Sequence, residues 1–328
     1  MSTARPFTWR DGERTIRFGR GVAGEARGLL GQGYALLTTR RARQTLPALA
    51  EGAATVHLVG DGQVDELAGD LLGAVEGAQT LVALGGGRVV DTAKALAAAQ
   101  PAATAPRVAS IPTTLSAAEM TWLHRQARDG PADRHVRPAL VLNDPALSAS
   151  QPVDQLAASS ANALAHALEA QASALTSPVP TLAGREAAGL LREAWALDPA
   201  EPDRDALALG ALLSGYAIDG AWYGLHHVLA QTLVRVGGVG HGAANAVLLP
   251  HTLAALATRM PELDPEGAWR TLARRLAERA GAPTLAALGV DDATIDACAE
   301  PAAQRRELDN TPPAAGRDEV LAIYEAAR

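Results

Sequence analysis

Residues 80–97 read TLVALGGGRVVDTAKALA: an apolar run, three consecutive glycines, then a stretch with helical spacing. The run is short, apolar and bounded by glycine, which predicts a buried strand. VVDTAKALAAA, directly after it, has the spacing of a helix. Gly85, Gly86 and Gly87 at the junction let the backbone turn sharply, and they let another group approach with no Cβ in the way. A strand that feeds a helix in this manner is the building unit of a parallel sheet, so this stretch decides the fold.

Working outward, TIRFG, YALLTT, TVHLVG, RVASIPT and PALVLND read as further buried parallel strands. VAGEARGLLG, RRARQTLPALA and VDELAGDLLGAV between them have helical spacing. The alternation predicts a doubly wound α/β domain with helices on both faces of the sheet. Beyond about residue 148 the strand signals stop. Ala- and Leu-rich segments follow, punctuated by TSPVPT, ALDPAEPD, RMPELDPEG, AERAGAPT and NTPPAAG, which break helices rather than strands. We expect an α/β domain over residues 1–147 and an all-helical domain over 148–328, with alanine permitting close helix packing.

The 328 residues are 48% hydrophobic and 20% charged, enough to bury a substantial core. A formal charge of −7 and the lack of a basic run with interleaved aromatics argue against nucleic-acid or anionic-membrane partners. The first residues, MSTARPFTWRDGER, lack the apolar core of a signal peptide, and no apolar segment reaches spanning length. One cysteine, Cys298, excludes an internal disulfide framework and fits a reducing cytoplasm.

The helix after the triple glycine aims free N–H groups and the positive end of its dipole at the loop, which suits a phosphate. A plain tight turn would use glycines too, and the spacing is not G-x-G-x-x-G. Asp91 and Lys94, three residues apart, can face the same cleft. Lys94 is the only lysine among 29 basic residues, so either a compact ammonium is needed there or it survives by chance. SIPTTLSAAEMT places Thr113, Thr114 and Ser116 at the C-terminal end of another strand, where open α/β sheets bind ligands. Arg40, following YALLTT, stands where arginine favours a ribose 2′-phosphate, or simply begins a solvated helix.

NALAHALEA, residues 162–170, sets Asn162 one helical turn before His166, on the same face. His226 and His227 in GLHH and His241 in GHG follow, and five of the eight histidines lie between 166 and 251. A single histidine is ordinarily a satisfied structural residue; this clustering points to function. It is either a metal site that has lost its carboxylate or a site that needs no metal.

GGGRVVDTAK, IPTT, NALAHALEA, GLHH and GHGAANAVLLPH, in this order, resemble the iron-containing alcohol dehydrogenase superfamily, and within it the maleylacetate reductase branch. The similarity runs from RFGRG near the start to NTPPAAGRDEVLAIYEAA at the end. It implies a dehydroquinate synthase-like fold: an N-terminal dinucleotide-binding domain, a C-terminal helical domain, and a cleft between them. It also implies an NAD(P)-dependent oxidoreductase using NADPH or NADH. Gly85, Gly86 and Gly87 would hold the pyrophosphate, with Arg88, Asp91, Lys94, Thr113, Thr114, Ser116 and Arg40 around the cofactor. Arg88 replaces the serine usual in the family, and it either meets the pyrophosphate or projects into solvent.

Metal-dependent members hold iron or zinc with one Asp and three His, matching Asn162, His166, His227 and His241. A neutral amide is a weak ligand in place of a carboxylate. The maleylacetate reductase branch shares this exchange and works without a metal. We therefore expect that none is required; were one bound, these four residues would hold it. The expected reaction is reduction of an activated, carboxylated enone or ketone. A proton would come from His166, His227 or His241, with His226, Asn162 and Gln231 beside them. Gln231 stands where the family has a histidine near the nicotinamide, and Ala117 and Ala118 replace its Gly-Ser. Val234 and Arg235 replace two glycines. The resemblance further implies a cytoplasmic homodimer and a place in aromatic-compound catabolism. Two other readings stand beside it: a metal-dependent alcohol dehydrogenase, and a repurposed member acting as a non-redox lyase or cyclase or as a non-catalytic protein.

Overall fold

The computed structural model describes residues 4–131, 134–197 and 200–328. Met1, Ser2 and Thr3 of the leading segment, and Asp198 and Pro199 of the ALDPAEPD break, lie outside the described residues. The chain forms two compact units, one reaching to Ser150 and including Asp203–Leu212, the other comprising Gln151–Pro202 and Leu213–Arg328. A single change-over between 147 and 148 carries no such return. Arg20 with Asp205, and Arg204 donating to the Ala149 carbonyl at 2.6 Å, tie the returning segment to the first unit.

In the first unit the elements run β1 (Phe7–Asp11), β2 (Arg14–Phe18), α1 (Ala26–Leu30), β3 (Tyr34–Thr38), α2 (Arg40–Thr45), α3 (Ala48–Gly52) and β4 (Ala53–Leu58). They continue α4 (Val64–Leu71), β5 (Thr80–Gly85), α5 (Gly87–Ala98), β6 (Arg107–Pro112), β7 (Leu140–Asn143) and α6 (Pro145–Ser148). The strands make one seven-stranded sheet in the order β1-β2-β7-β6-β5-β3-β4. All neighbours are parallel except β1 and β2, a hairpin turned at Gly12. The sequence pattern leaves β1 unread, because FTWRD has neither an apolar run nor clean alternation. TVHLVG, expected to be buried, is instead the half-exposed edge strand β4, with Leu58 46% exposed.

Alternation along the central strands explains the two covered faces. Ala35, Leu37, Leu81 and Ala83 pack with α4 and α5, whereas Tyr34, Leu36, Val82 and Leu84 pack with residues of α1, α2 and α3. After β4 the chain crosses back, so β5 pairs with the other side of β3. Strand order therefore reverses between β3 and β5, and the crevice beyond their C-terminal ends is where such sheets take ligands.

The second unit holds α7 (Val153–Ala172), α8 (Pro178–Leu197), the later part of α9 (Arg204–Ala221), α10 (Leu225–Gly237) and α11 (His241–Arg259). Beyond these come α12 (Ala268–Arg279), α13 (Asp292–Ala303) and α14 (Arg317–Ala326), and no strand follows β7 among the described residues. Small residues let α7 and α8 approach closely: a Cβ on Gly184 would stand 2.6 Å from the Ala167 carbonyl oxygen. Gly189, also in α8, has open space where its Cβ would be. The two glycines separate packing from propensity. Gly184→Ala is expected to destabilise by about 1–3 kcal/mol through overpacking. Gly189→Ala is expected to stabilise by about 0.5–1 kcal/mol through helix propensity. Urea unfolding of the two variants beside the parent checks both signs.

Candidate active site

At the C-terminal end of β5 the triple glycine is a matter of space. An ideal Cβ would meet the Val89 side chain at 2.5 Å from Gly85, Thr114 at 3.0 Å from Gly86 and Ser116 at 3.0 Å from Gly87. Gly86 precedes α5 with no side-chain cap; Val89 N–H turns back to the Gly86 carbonyl at 2.9 Å, which leaves the Gly87 and Arg88 N–H groups without an intrahelical partner. Thr113 N–H donates to the Gly85 carbonyl at 3.0 Å, which ties the hydroxyl-bearing loop to the glycine loop. The sequence expectation thus brings Gly85, Gly86, Gly87, Thr113, Thr114 and Ser116 together. Backbone approach, open N–H donors and hydroxyls form a cradle that fits a dinucleotide pyrophosphate.

Lys94 sits elsewhere in the chemistry. Its side chain is 0% exposed, and Nζ donates to Asp91 Oδ1 at 2.7 Å, the Ala118 carbonyl at 3.0 Å and the Leu123 carbonyl at 2.7 Å. An ammonium has three donors, so none remains for a phosphate. Lys94 braces the loop that carries Thr114 and Ser116. Within that loop Ala117 adopts a left-handed φ of 60°, at the position where the resemblance places glycine. Arg88 does not point at the glycines; it pairs with Asp61 at 2.6 Å and donates to the Gly60 carbonyl. Arg40 is exposed at the start of α2, beside Arg43 on a surface cavity, and Thr39 caps that helix through the Ala42 N–H.

In the second unit, α7 carries Asn162, His166 and Glu169 at spacings of four and three, on one face. The His166 and His227 rings stack with centroids 4.6 Å apart and planes at 11°. Glu169, fully buried, meets His227 Nδ1 with Oε2 at 2.5 Å and accepts the His226 backbone N–H with Oε1 at 2.7 Å. Asn162 Oδ1, His166 Nδ1 and His227 Nε2 are buried without a hydrogen-bond partner. Burial pushes Glu169 up and His166 far down, and it holds His226 and His227 at about 3, so the imidazoles are neutral.

His226 departs from its expected role. Asn245 Nδ2 donates to the His241 carbonyl, so its Oδ1 takes the His226 Nε2–H at 3.0 Å, and Nδ1 accepts from Thr252 at 2.8 Å. Fully buried with both nitrogens bonded, His226 fastens α10 to α11. His241 begins α11 and is exposed. Gln231, one turn beyond His227, accepts from Arg305 Nη2 at 3.2 Å.

Comparison with known proteins decides the lineage. The C-terminal profile of the Fe-containing alcohol dehydrogenase family matches residues 156–279. The maleylacetate reductase of Burkholderia cepacia is 32% identical over 269 residues, covering 76% of this chain and 74% of that protein. That of Rhizobium sp. (strain MTP-10005) is 33% identical over 239 residues, covering 68% and 67%. The crystal structure of the maleylacetate reductase from Agrobacterium tumefaciens superposes with a TM-score of 0.80 at 29% identity, covering 98% of each chain. The chain belongs to the iron-containing alcohol dehydrogenase family. Its fold is that of the family, and it is an NAD(P)-dependent oxidoreductase.

The family name raises the fit of iron. Here the donors are one neutral amide and two stacked neutral imidazoles, with His241 exposed. Among the described residues no group of three or more His, Cys, Asp or Glu is placed to hold a metal ion. A divalent cation would find two buried imidazoles and a neutral amide there, a weaker donor set than one that includes a carboxylate.

Two residues that sequence reasoning passed over matter most. Glu169 was within reach: it lies three residues after His166 inside the same quoted motif, on the face of the histidine. Glu119 is also buried, with Oε1 accepting from Asn143 at 3.2 Å and Oε2 unpartnered, and burial pushes it up to about 7. A raised carboxyl pKa gives stability that is full below its ordinary value of 4.5 and is lost as pH rises through 7. Glu119→Gln, neutral at every pH, is therefore expected to match the parent at pH 4 and to exceed it by roughly 3 kcal/mol at pH 9. Denaturant melts at the two pH values measure the difference. Lys94→Met, which strands Asp91 and two carbonyls, is expected to cost about 3–5 kcal/mol in the same assay. It is also expected to weaken NADPH binding, read by calorimetry.

Proposed function

We infer that the protein is a metal-independent, NAD(P)H-dependent reductase of an activated, carboxylated enone or ketone, in the manner of the maleylacetate reductases it resembles. The observation that carries this reading is Asn162 beside the stacked His166 and His227, an uncharged pocket at the positions where metal-dependent relatives keep a carboxylate. A simple ketone gains from a Lewis acid on its oxygen. A double bond conjugated to a ketone is already polarised for hydride arrival at carbon, and hydrogen-bond donors suffice for the enolate that develops.

When bound, the dinucleotide supplies the hydride. The glycine cradle and the open N–H groups of α5 support its pyrophosphate, and exposed Arg40 with Arg43 favours a 2′-phosphate, hence NADPH. In the helical unit, His227 delivers the proton. Glu169, protonated, donates from Oε2 to Nδ1, so the neutral His227 ring carries its own proton on Nε2. As Nε2 gives its proton to the enolate carbon, Nδ1 takes the Glu169 proton, and the negative charge comes to rest on Glu169, where the His226 N–H meets it. His166, stacked on the His227 face, excludes water from that side.

Purified protein is expected to oxidise NADPH with maleylacetate, to keep that activity in a chelator, and to contain no stoichiometric transition metal by mass spectrometry. His227→Ala is expected to lower kcat by about 10²–10⁴-fold. Absence of turnover across a panel of carboxylated enones and ketones would overturn the reading. So would a tightly held metal whose removal abolishes activity.

A further inference from the structure

Gln231 stands on α10 one turn beyond His227, so both side chains leave the same face of the helix. An amide can present either its oxygen or its nitrogen to a neighbour, but here the choice is forced. The neighbour is Arg305 Nη2, 3.2 Å from Gln231 Oε1, and a guanidinium has only donors. The amide oxygen must face Arg305, and the –NH₂ group is left to bond elsewhere.

Arg305 is itself held at several points. Nε donates to Glu307 Oε2 at 3.0 Å, and the two hydrogens of Nη2 are shared among Glu307 Oε1 at 2.7 Å, the Tyr223 hydroxyl at 2.9 Å and the longer contact to Gln231. Tyr223 donates in turn to Glu307 Oε1 at 2.9 Å. The Tyr223 ring lies edge-on to His227, with centroids 6.2 Å apart, so this network borders the imidazole pocket. Trp222, stacked on Tyr223 at 14°, has a φ of 58°, a backbone strain that a bulky residue adopts only where its surroundings impose it. The network adds no net charge, since Arg305 and Glu307 cancel. It adds a fixed donor.

We propose that Arg305 is a positioning residue that commits Gln231 to donating, and that Gln231 Nε2 holds a carboxylate oxygen of the substrate one helical turn from His227. This rests on the reading that the substrate is a carboxylated acceptor. It gives position 231 a task that a histidine, with one proton to offer in its neutral form, performs less reliably. Recognition works through a hydrogen bond rather than through net charge.

The test uses the full chain saturated with NADPH and titrated calorimetrically with maleate, a dicarboxylate that serves here as an unreduced probe. Gln231→Leu is expected to weaken maleate binding about tenfold or more, through loss of a bond to a charged acceptor. NADPH affinity should stay unchanged. Arg305→Met combined with Glu307→Gln, which keeps the network neutral, is expected to weaken maleate in the Gln231 background and to have no further effect in the Gln231→Leu background, the non-additivity of a residue acting through another. With maleylacetate as substrate, Gln231→Leu should raise KM more than it lowers kcat. Should that combined variant fail to fold, Gln231→Glu, which replaces the donor by an acceptor, carries the test and should weaken maleate at least as much as Gln231→Leu. Maleate binding that is absent in the parent, or equal in the parent and Gln231→Leu, overturns the proposal. Failure to reduce maleylacetate while Gln231-dependent maleate binding persists would count against the reductase reading alone.

Discussion

Glu169 accepts the backbone N–H of His226 and meets Nδ1 of His227 with a single, fully buried carboxyl group. Taking a carboxyl group out of water costs several kcal/mol unless its oxygens are bonded, so this side chain tolerates few arrangements. It fixes the first turn of α10 against α7 in both rotation and height. His226, placed by that turn, then bonds Asn245 and Thr252 of α11, and the constraint passes to a third helix. The orientation of His227 is a consequence of the same bond. Packing of alanine against alanine brings these helices close but is tolerant of small slides, whereas a buried acid with two specific partners is not.

Lys94 acts by similar logic in the α/β unit. An ammonium with no solvent contact requires acceptors for each of its protons, and the loop after β6 provides two of them as backbone carbonyls. The loop is thereby held with Thr114 and Ser116 against Gly86 and Gly87. A cradle of backbone N–H groups is useful to a phosphate only if it is rigid before the ligand arrives. An arginine, planar and larger, does not fit a three-acceptor cage built for a tetrahedral group, which accounts for a lysine in a chain that otherwise uses arginine.

What the sequence made legible follows from where periodicity dominates. The central strands are buried on both faces, and their unbroken apolar runs, with the glycines after β5, announce a parallel sheet. The edges do not: β1 and β4 are partly wetted, so FTWRD carries no signal and TVHLVG gives a false impression of burial. The switch from strands to helices near residue 148 was readable from the loss of β-branched runs, but the return of Asp203–Leu212 to the first unit was not, because it rests on Arg20–Asp205 and Arg204–Ala149, pairings far apart in the chain. At the site, helical spacing set Asn162 and His166 on one face, and both are buried; His227, also buried, came from the clustering of histidines and the resemblance rather than from spacing. Spacing could not separate His226 from His227, adjacent and equally plausible, since only the partners on α7 and α11 distinguish a satisfied ring from one with a bare nitrogen. Nor could it find Arg305 and Glu307, which reach Gln231 and Tyr223 from more than seventy residues away.

The departures at positions 162 and 231 become intelligible together. A carboxylate at 162 would add a negative charge beside two buried imidazoles, which is tolerable when a cation neutralises it and costly otherwise. An amide at 162 carries no such charge. A histidine at 231 would stand next to Arg305, where a second positive charge is unfavourable and a neutral ring must choose a tautomer. An amide satisfies the guanidinium with its oxygen and keeps its nitrogen for a ligand. The exchange at 162 removes a charge, the one at 231 keeps the position neutral, and both retain hydrogen-bonding capacity. An uncharged, donor-bearing cavity stabilises delocalised charge, as in an enolate, better than it stabilises the localised alkoxide of a simple alcohol, for which a metal is the usual remedy. On the proposed reading, both changes favour substrates that arrive already polarised.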